Sequence, residues 1–323
     1  MLASSRQPGD DQGMVAVSPT ANHAAEACLA DEARRVLAPR LVGVVKLLRS
    51  AALESRRDVE HVHRLRVAAR RTLAALKVFA EVLPEKHYRW WRKRVRQIRR
   101  AAGEARDHDV LAALLKEQAR SQAGQAWGPL LKEVAAERRK AQEPIVRLHK
   151  KLPQSKLRRH ARRLLAGISD RKASTLSAAA QEQLRPLVSA VVGEDRERLE
   201  DDAALHRLRI RVKQLRYVLE ILAGAWSDEA AVTLAGVQAS VEKLQKLLGD
   251  HNDCVSLVKR LEPWRERTTD ASSAKLLDAL AHHEREAAVA GRRQFLAWWN
   301  TQERARLAAE FATLLGVGKL AAS

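Results

Sequence analysis

The feature that most constrains this 323-residue chain is a helical pattern written twice. Leu65, Ala69, Thr72, Leu76 and Phe79 recur at intervals of 4, 3, 4 and 3, and so do Leu208, Val212, Leu215, Leu219 and Leu222. That spacing puts one apolar stripe along one face of an α-helix. Each stripe follows the same four letters, His-Arg-Leu-Arg, starting at His63 and again at His206, 143 residues later. A second landmark repeats in the same order. "AAGEARDHDVLAAL" around Gly103 and Asp107 lines up with "LLGDHNDCVSLV" around Gly249 and Asp253, 146 residues on. Two landmarks in one order at nearly one spacing indicate an internal duplication of a helical unit of about 140 residues.

The rest of the chain agrees with helices and gives no sign of strands. Ala, Leu, Arg, Glu, Lys and Gln dominate, hydrophobic residues make up 46%, and aromatics only 4%. Such a composition favours helix, and alternating runs of β-branched residues are almost absent. Five segments result: a disordered tail over 1–22, a first repeat over 23–151, a connection over 152–175, a second repeat over 176–315, and a short tail over 316–323. The "KLPQSK" string marks the break between halves, and Pro39 is a candidate kink in the first helix. Two four-helix units packed into one all-α domain is the architecture this predicts.

Charge narrows the function. Lys and Arg number 59 against 39 Asp and Glu, a formal net charge of +20. A field of that size points to a polyanionic partner. At 100° per residue, His206, Arg209, Lys213 and Arg216 fall within one arc of about 80° beside the apolar stripe, and His63, Arg66 and Arg70 take the same arc in the first copy. Arg89, Arg92, Arg96 and Arg99 repeat the arrangement on the next helix. Neighbouring helices would then line one groove with guanidinium groups, whose planar fork suits phosphate. The bland alternative is a set of snorkelling side chains on a solvated face. The histidines suit hydrogen bonding to an anion or a half-buried structural role better than metal ligation, because the arginines around them repel a cation. The "RDHD" and "DHND" strings over 106–109 and 250–253 resemble metal ligands, but Asp and Asn beside Gly more simply mark turns or helix caps. Asp107 and Asp253 could also orient a basic side chain from the neighbouring helix. No metal and no cofactor is called for.

Cys28 and Cys254 have no metal-ligand spacing, which predicts a reduced, cytoplasmic protein. The N-terminal residues do not read as a secretory signal, and no apolar run reaches the length of a membrane span.

A duplicated helical unit headed by His-x-x-Arg-x-x-x-(Arg/Lys), followed by a Gly-x-x-x-Asp segment, resembles the CHAD family (conserved histidine α-helical domain) over roughly 25–315. The resemblance implies two four-helix bundles related by a pseudo-twofold axis with a basic groove or pore between them. It also implies binding of inorganic polyphosphate and, as in some bacterial members, association with polyphosphate granules. Its helix motif falls on His63, Arg66 and Arg70, and on His206, Arg209, Lys213 and Arg216. The basic positions of the following helix fall on Arg92, Arg96, Arg99, Arg100 and Arg106. In the second half Gln238, Glu242, Gln245 and Asn252 stand opposite Arg92, Arg96, Arg99 and Arg106; only Lys246, with Lys243 nearby, keeps a charge. A lopsided site is expected. The chain has no alternating Glu-x-Glu-x-Lys strand of the triphosphate-hydrolysing domain fused to some members, so it reads as a stand-alone copy.

Two rival readings remain at this point. A nucleic-acid-binding protein fits the charge, though helix-turn-helix, RRM and zinc patterns are missing and aromatics are sparse. A phosphohydrolase acting on polyphosphate or nucleotides would need a phosphate loop or a carboxylate cluster, for which Asp107 with Asp109 and Asp250 with Asp253 are the candidates. Homo-oligomerisation is left open by the sequence.

Overall fold

The structure, a computed structural model, describes residues 28–55, 57–121, 127–169, 175–194 and 197–318. The expected N-terminal tail and most of the C-terminal one lie outside these residues. Ten α-helices run through the described part: α1 (Leu29–Leu53), α2 (Glu60–Val78), α3 (Glu85–Ser121), α4 (Gly128–Lys151), α5 (Gln154–Ala166), α6 (Leu176–Val192), α7 (Asp202–Ile221), α8 (Ala231–Arg267), α9 (Ala271–Trp298) and α10 (Thr301–Leu315). No strand occurs among them; Cys28 and Thr175 form one isolated antiparallel bridge.

The helices fall into two runs of five, one more per half than the sequence reading counts. The extra helix of the first run is α5, inside the stretch expected to be a connection. Its basic residues hide a short apolar face, with Leu157, Ala161 and Leu164 buried at the helical spacing 0, 4, 7. The fourth member of each run is long, and the third longer still: α3 and α8 both have 37 residues, roughly 55 Å of helix. Pro39 does not end α1, which continues to Leu53.

The strings around Asp107 and Asp253 lie within α3 and α8, not at turns or caps. Local turn signals are overridden here because the polar side chains have long-range partners. Asp109 is buried and accepts a hydrogen bond from Arg138 of α4 at 2.5 Å, and buried His251 has Nδ1 2.9 Å from the carbonyl oxygen of Ala288. Genuine caps occur elsewhere: Asp201 accepts from the N–H groups of Ala203 and Ala204 at the start of α7.

One apolar core runs through both halves, from Leu29 to Leu315. It takes in both stripes read from the sequence, with Leu65, Leu76, Phe79, Leu208, Val212, Leu215 and Leu219 fully enclosed. Counterparts meet across the halves: α2 packs on α7, α1 touches α6, and the first residues of the bridge precede α1 and α6. A second, smaller core joins the far ends of the long hairpins, with Leu111, Leu115 and Val134 against Leu261, Trp264 and Leu277. Side-by-side packing of α2 and α7 at one end and this second cluster at the other leaves a space between them.

Candidate functional site: a basic cavity between the halves

That space is a cavity of about 650 Å³. Its cationic lining comes from four helices, Arg66 and Arg70 of α2, Arg106 of α3, Arg209 of α7 and Arg260 of α8, with His63 of α2 and His283 of α9 beside them. The α2 stripe turns Leu65 and Ala69 into the core. The residues one position further on, Arg66 and Arg70, are therefore carried to the rim of that stripe, half-buried and facing the partner half. The same register on α7 places Arg209 and Lys213.

Two carboxylates orient this wall at repeat-equivalent positions. Arg66 donates to Asp107 at 3.2 Å, and Arg209 donates to Asp253 at 3.5 Å. Orientation of a basic side chain by these aspartates is thus what the geometry shows. Asp107 also holds Arg260 at 3.0 Å, so one carboxylate positions two guanidiniums from different halves. Tyr217 supplies a second anchor. It is buried, and the guanidiniums of Arg70 and Arg216 lie 5.8 and 5.3 Å from its ring centre, where the ring face attracts a cation.

The cations outnumber what these groups offset. The Nε atoms of Arg70, Arg209 and Arg216 are buried without a hydrogen-bond partner. Burial, and after it the fields of Arg66, Arg216 and Arg209, hold the Arg70 guanidinium below its usual value, with Tyr217 acting in the opposite sense. Lys213 shows the strain most clearly. Burial first, then Arg70, Arg209 and Arg66, pull its ammonium down from 10.5 to about 7, with only Asp253 opposing. His63 is lowered by burial and then by Arg106, so it is neutral at pH 7. Acids appear towards the far end of the cavity, at Glu117 and Glu284.

The structure does not bring all the expected residues together. His206 is exposed, its Nδ1 2.7 Å from Oδ1 of Asn252. Lys246 is exposed and paired with Asp250 at 2.8 Å, and Lys243 lies 4.7 Å over the ring of Trp298. Arg92, Arg96 and Arg100 face a different groove, between α3 and α4, and Arg99 is exposed and lines neither. The expected shared groove therefore forms between α2 and α7, while most of the α3 arginines turn outward. The helical wheel relates residues on one helix and says nothing of which neighbour each face meets. Conversely, Arg260 and Tyr217 were not singled out in the sequence. Their repeat equivalents are Leu114 and Ala74, so no duplicated pattern marks them.

The charge is as lopsided as the sequence suggests. Residues 28–169 contain 35 Lys and Arg against 14 Asp and Glu, whereas residues 175–318 contain 20 against 21. The first half is +21 and the second −1 by these counts.

The model of the CHAD domain matches residues 43–262, two thirds of the chain. This protein is a member of the CHAD family. Its fold is similar to the crystal structure of the CHAD domain from the plant Ricinus communis, with a TM-score of 0.58 and 22% identity over 86% of this chain and 97% of that one. It is also similar to PptA from Streptomyces chartreusis, with a TM-score of 0.55 and 19% identity over 84% and 99% of the two chains. No curated protein matches. At these identities the structural likeness establishes the all-α CHAD fold. No helix among the described residues is long and apolar enough to cross a membrane.

Proposed function

We propose that this CHAD domain is a non-enzymatic module that binds inorganic polyphosphate in the cavity between its halves. The observation that carries the reading is the convergence of Arg66, Arg70, Arg106, Arg209 and Arg260 on one space, beside a lysine whose ammonium is depressed to about 7. Uncompensated like charges of this density disfavour the empty cavity and favour an entering polyanion. Each phosphate contact also releases condensed counterions, which makes affinity fall with salt. Polyphosphate suits the space because it is a thin, flexible chain without bases, whereas a duplex is far wider than 650 Å³ allows. The family resemblance supports the same ligand, and association with polyphosphate granules in the cytoplasm follows from it.

The net charge favours nucleic acid as the second reading. The carboxylates considered for a hydrolase are engaged as positioning or structural groups: Asp107 on Arg66 and Arg260, Asp109 on Arg138. The test is binding of tripolyphosphate and long-chain polyphosphate to wild type and to an Arg70→Gln/Arg209→Gln variant, with phosphate release followed with and without Mg²⁺. Tight binding lost in the variant, with no release, supports the reading. Unchanged binding in the variant, or Mg²⁺-dependent release, refutes it.

A further inference from the structure

The arginines that α3 turns outward form a site of their own. Between α3 and α4 lies a groove of about 680 Å³, as large as the central cavity. Arg92, Lys93, Arg96 and Arg100 line it from α3, and Arg147 and Lys151 from α4; Glu104 is the acid that faces it. Arg147 is paired with Glu143 at 3.3 Å. Arg92, Lys93, Arg96, Arg100 and Lys151 have no ion pair among the described residues. Arg89, at the N-terminal end of the groove, is paired with Glu85, and Glu104 stands four residues after Arg100, but Arg92, Lys93 and Arg96 have no acid three or four residues away on their own helix to offset them. Its repeat equivalent carries Gln238, Ala239 and Glu242 opposite Arg92, Lys93 and Arg96, so the groove belongs to the first half alone and accounts for part of its +21 charge.

The groove and the cavity share one helix. Arg100 lines the groove and Arg106 the cavity, six residues apart on α3, roughly 9 Å along the axis, and Arg92 lies roughly 21 Å from Arg106. Resting on the polyphosphate reading of the cavity, we infer that the α3–α4 groove is a second phosphate-chain subsite, which a long chain occupies together with the cavity and a short one does not. Linking two weak subsites through one flexible ligand raises apparent affinity without new contacts, by about 10²–10⁴ when the chain spans both. Chain-length selectivity is then a property of the α3 surface. Nucleic acid is the less favoured occupant: the residues lining the groove include no aromatic, and Trp90 of the same helix is already stacked on His160 at 3.7 Å with Arg94 over its ring.

The test compares tripolyphosphate, long-chain polyphosphate and single-stranded DNA on the full chain, using wild type, a groove variant (Arg92→Gln/Arg96→Gln/Arg100→Gln) and a cavity variant (Arg66→Gln/Arg70→Gln/Arg209→Gln). The groove residues are exposed, so the variant keeps its fold, which circular dichroism checks. The groove variant is expected to bind long chains at least tenfold more weakly and to lower their log–log salt slope by about 2, while binding tripolyphosphate within twofold of wild type. An equal loss for both lengths, or no loss for either, overturns the inference. So does single-stranded DNA that binds wild type as tightly as polyphosphate and is lost in the groove variant. Failure of the cavity reading shows separately, as a cavity variant that binds tripolyphosphate like wild type.

Discussion

Polyphosphate binding should take up a proton, and Lys213 should be its destination. In the free protein this ammonium titrates at about 7 because burial and Arg70, Arg209 and Arg66 all disfavour its charge. At pH 8 it is then only about one-tenth protonated. A polyanion in the cavity offsets those arginines and returns the group towards its ordinary 10.5, so about 0.9 proton should be bound per complex at pH 8 and about 0.1 at pH 6. Because the complex holds more protons than the free protein, affinity falls as pH rises from 7 towards 10.5, by up to about tenfold per unit. The stability of the free protein runs the other way. Its folded-state value lies below that of the unfolded chain, so this group adds stability as pH climbs through the same window and withholds it below about 7. Calorimetric titration at pH 8 in two buffers of different ionisation enthalpy reads the uptake directly. Lys213→Arg, charged throughout, should bind with almost no uptake and flatten the pH profile. Uptake below about 0.2 proton in wild type, or the same uptake in Lys213→Arg, would refute the account of this wall as an uncompensated cationic field.

Four further outcomes follow from the packing. Lys243→Ala and Lys246→Ala should each change polyphosphate affinity less than about twofold, since Lys243 sits on Trp298 and Lys246 on Asp250, away from the cavity, and their exposed charges are screened; competition binding checks this. Tyr217→Phe should keep both binding and stability within about 0.5 kcal/mol, because the ring that holds Arg70 and Arg216 remains and the buried hydroxyl has no hydrogen-bond partner to lose. Tyr217→Ala should cost about 3–5 kcal/mol in urea unfolding through the cavity it leaves and weaken binding through the two freed guanidiniums. Arg138→Met should lose about 3–5 kcal/mol in the same assay, because it leaves the enclosed Asp109 carboxylate unpaired.

The sequence carried the parts of this protein that depend on periodicity. The stripes at Leu65 and Leu208 are core, and α4 ends at Lys151, at the "KLPQSK" break. It failed where a local signal competed with a distant partner. Asp107 and Asp253 read in the sequence both as turn residues and as groups that orient a basic side chain, and only the approach of Arg66, Arg260 and Arg209 decides for the second; α5 looks like a linker until its apolar face, with Leu157 and Leu164 buried, packs on α1. The candidate site was legible by helix and not by neighbour. His63, Arg66, Arg70 and Arg209 reach the cavity as their strip implied and Arg106 as the family resemblance implied, but His206 of the same strip does not, and Arg92, Arg96 and Arg100 occupy an arc on α3 that meets α4 instead. Arg260 and Tyr217, without counterparts in the other half, could come only from the packed structure.

The most direct test of the central claim is a salt-titrated competition between long-chain polyphosphate and duplex DNA for wild type and the Arg66→Gln/Arg70→Gln/Arg209→Gln variant. The account predicts that polyphosphate displaces DNA from wild type at physiological salt and that the variant loses this preference. Equal competition by DNA, together with a variant indistinguishable from wild type, would mean that the cavity is a charged recess and not a polyphosphate site.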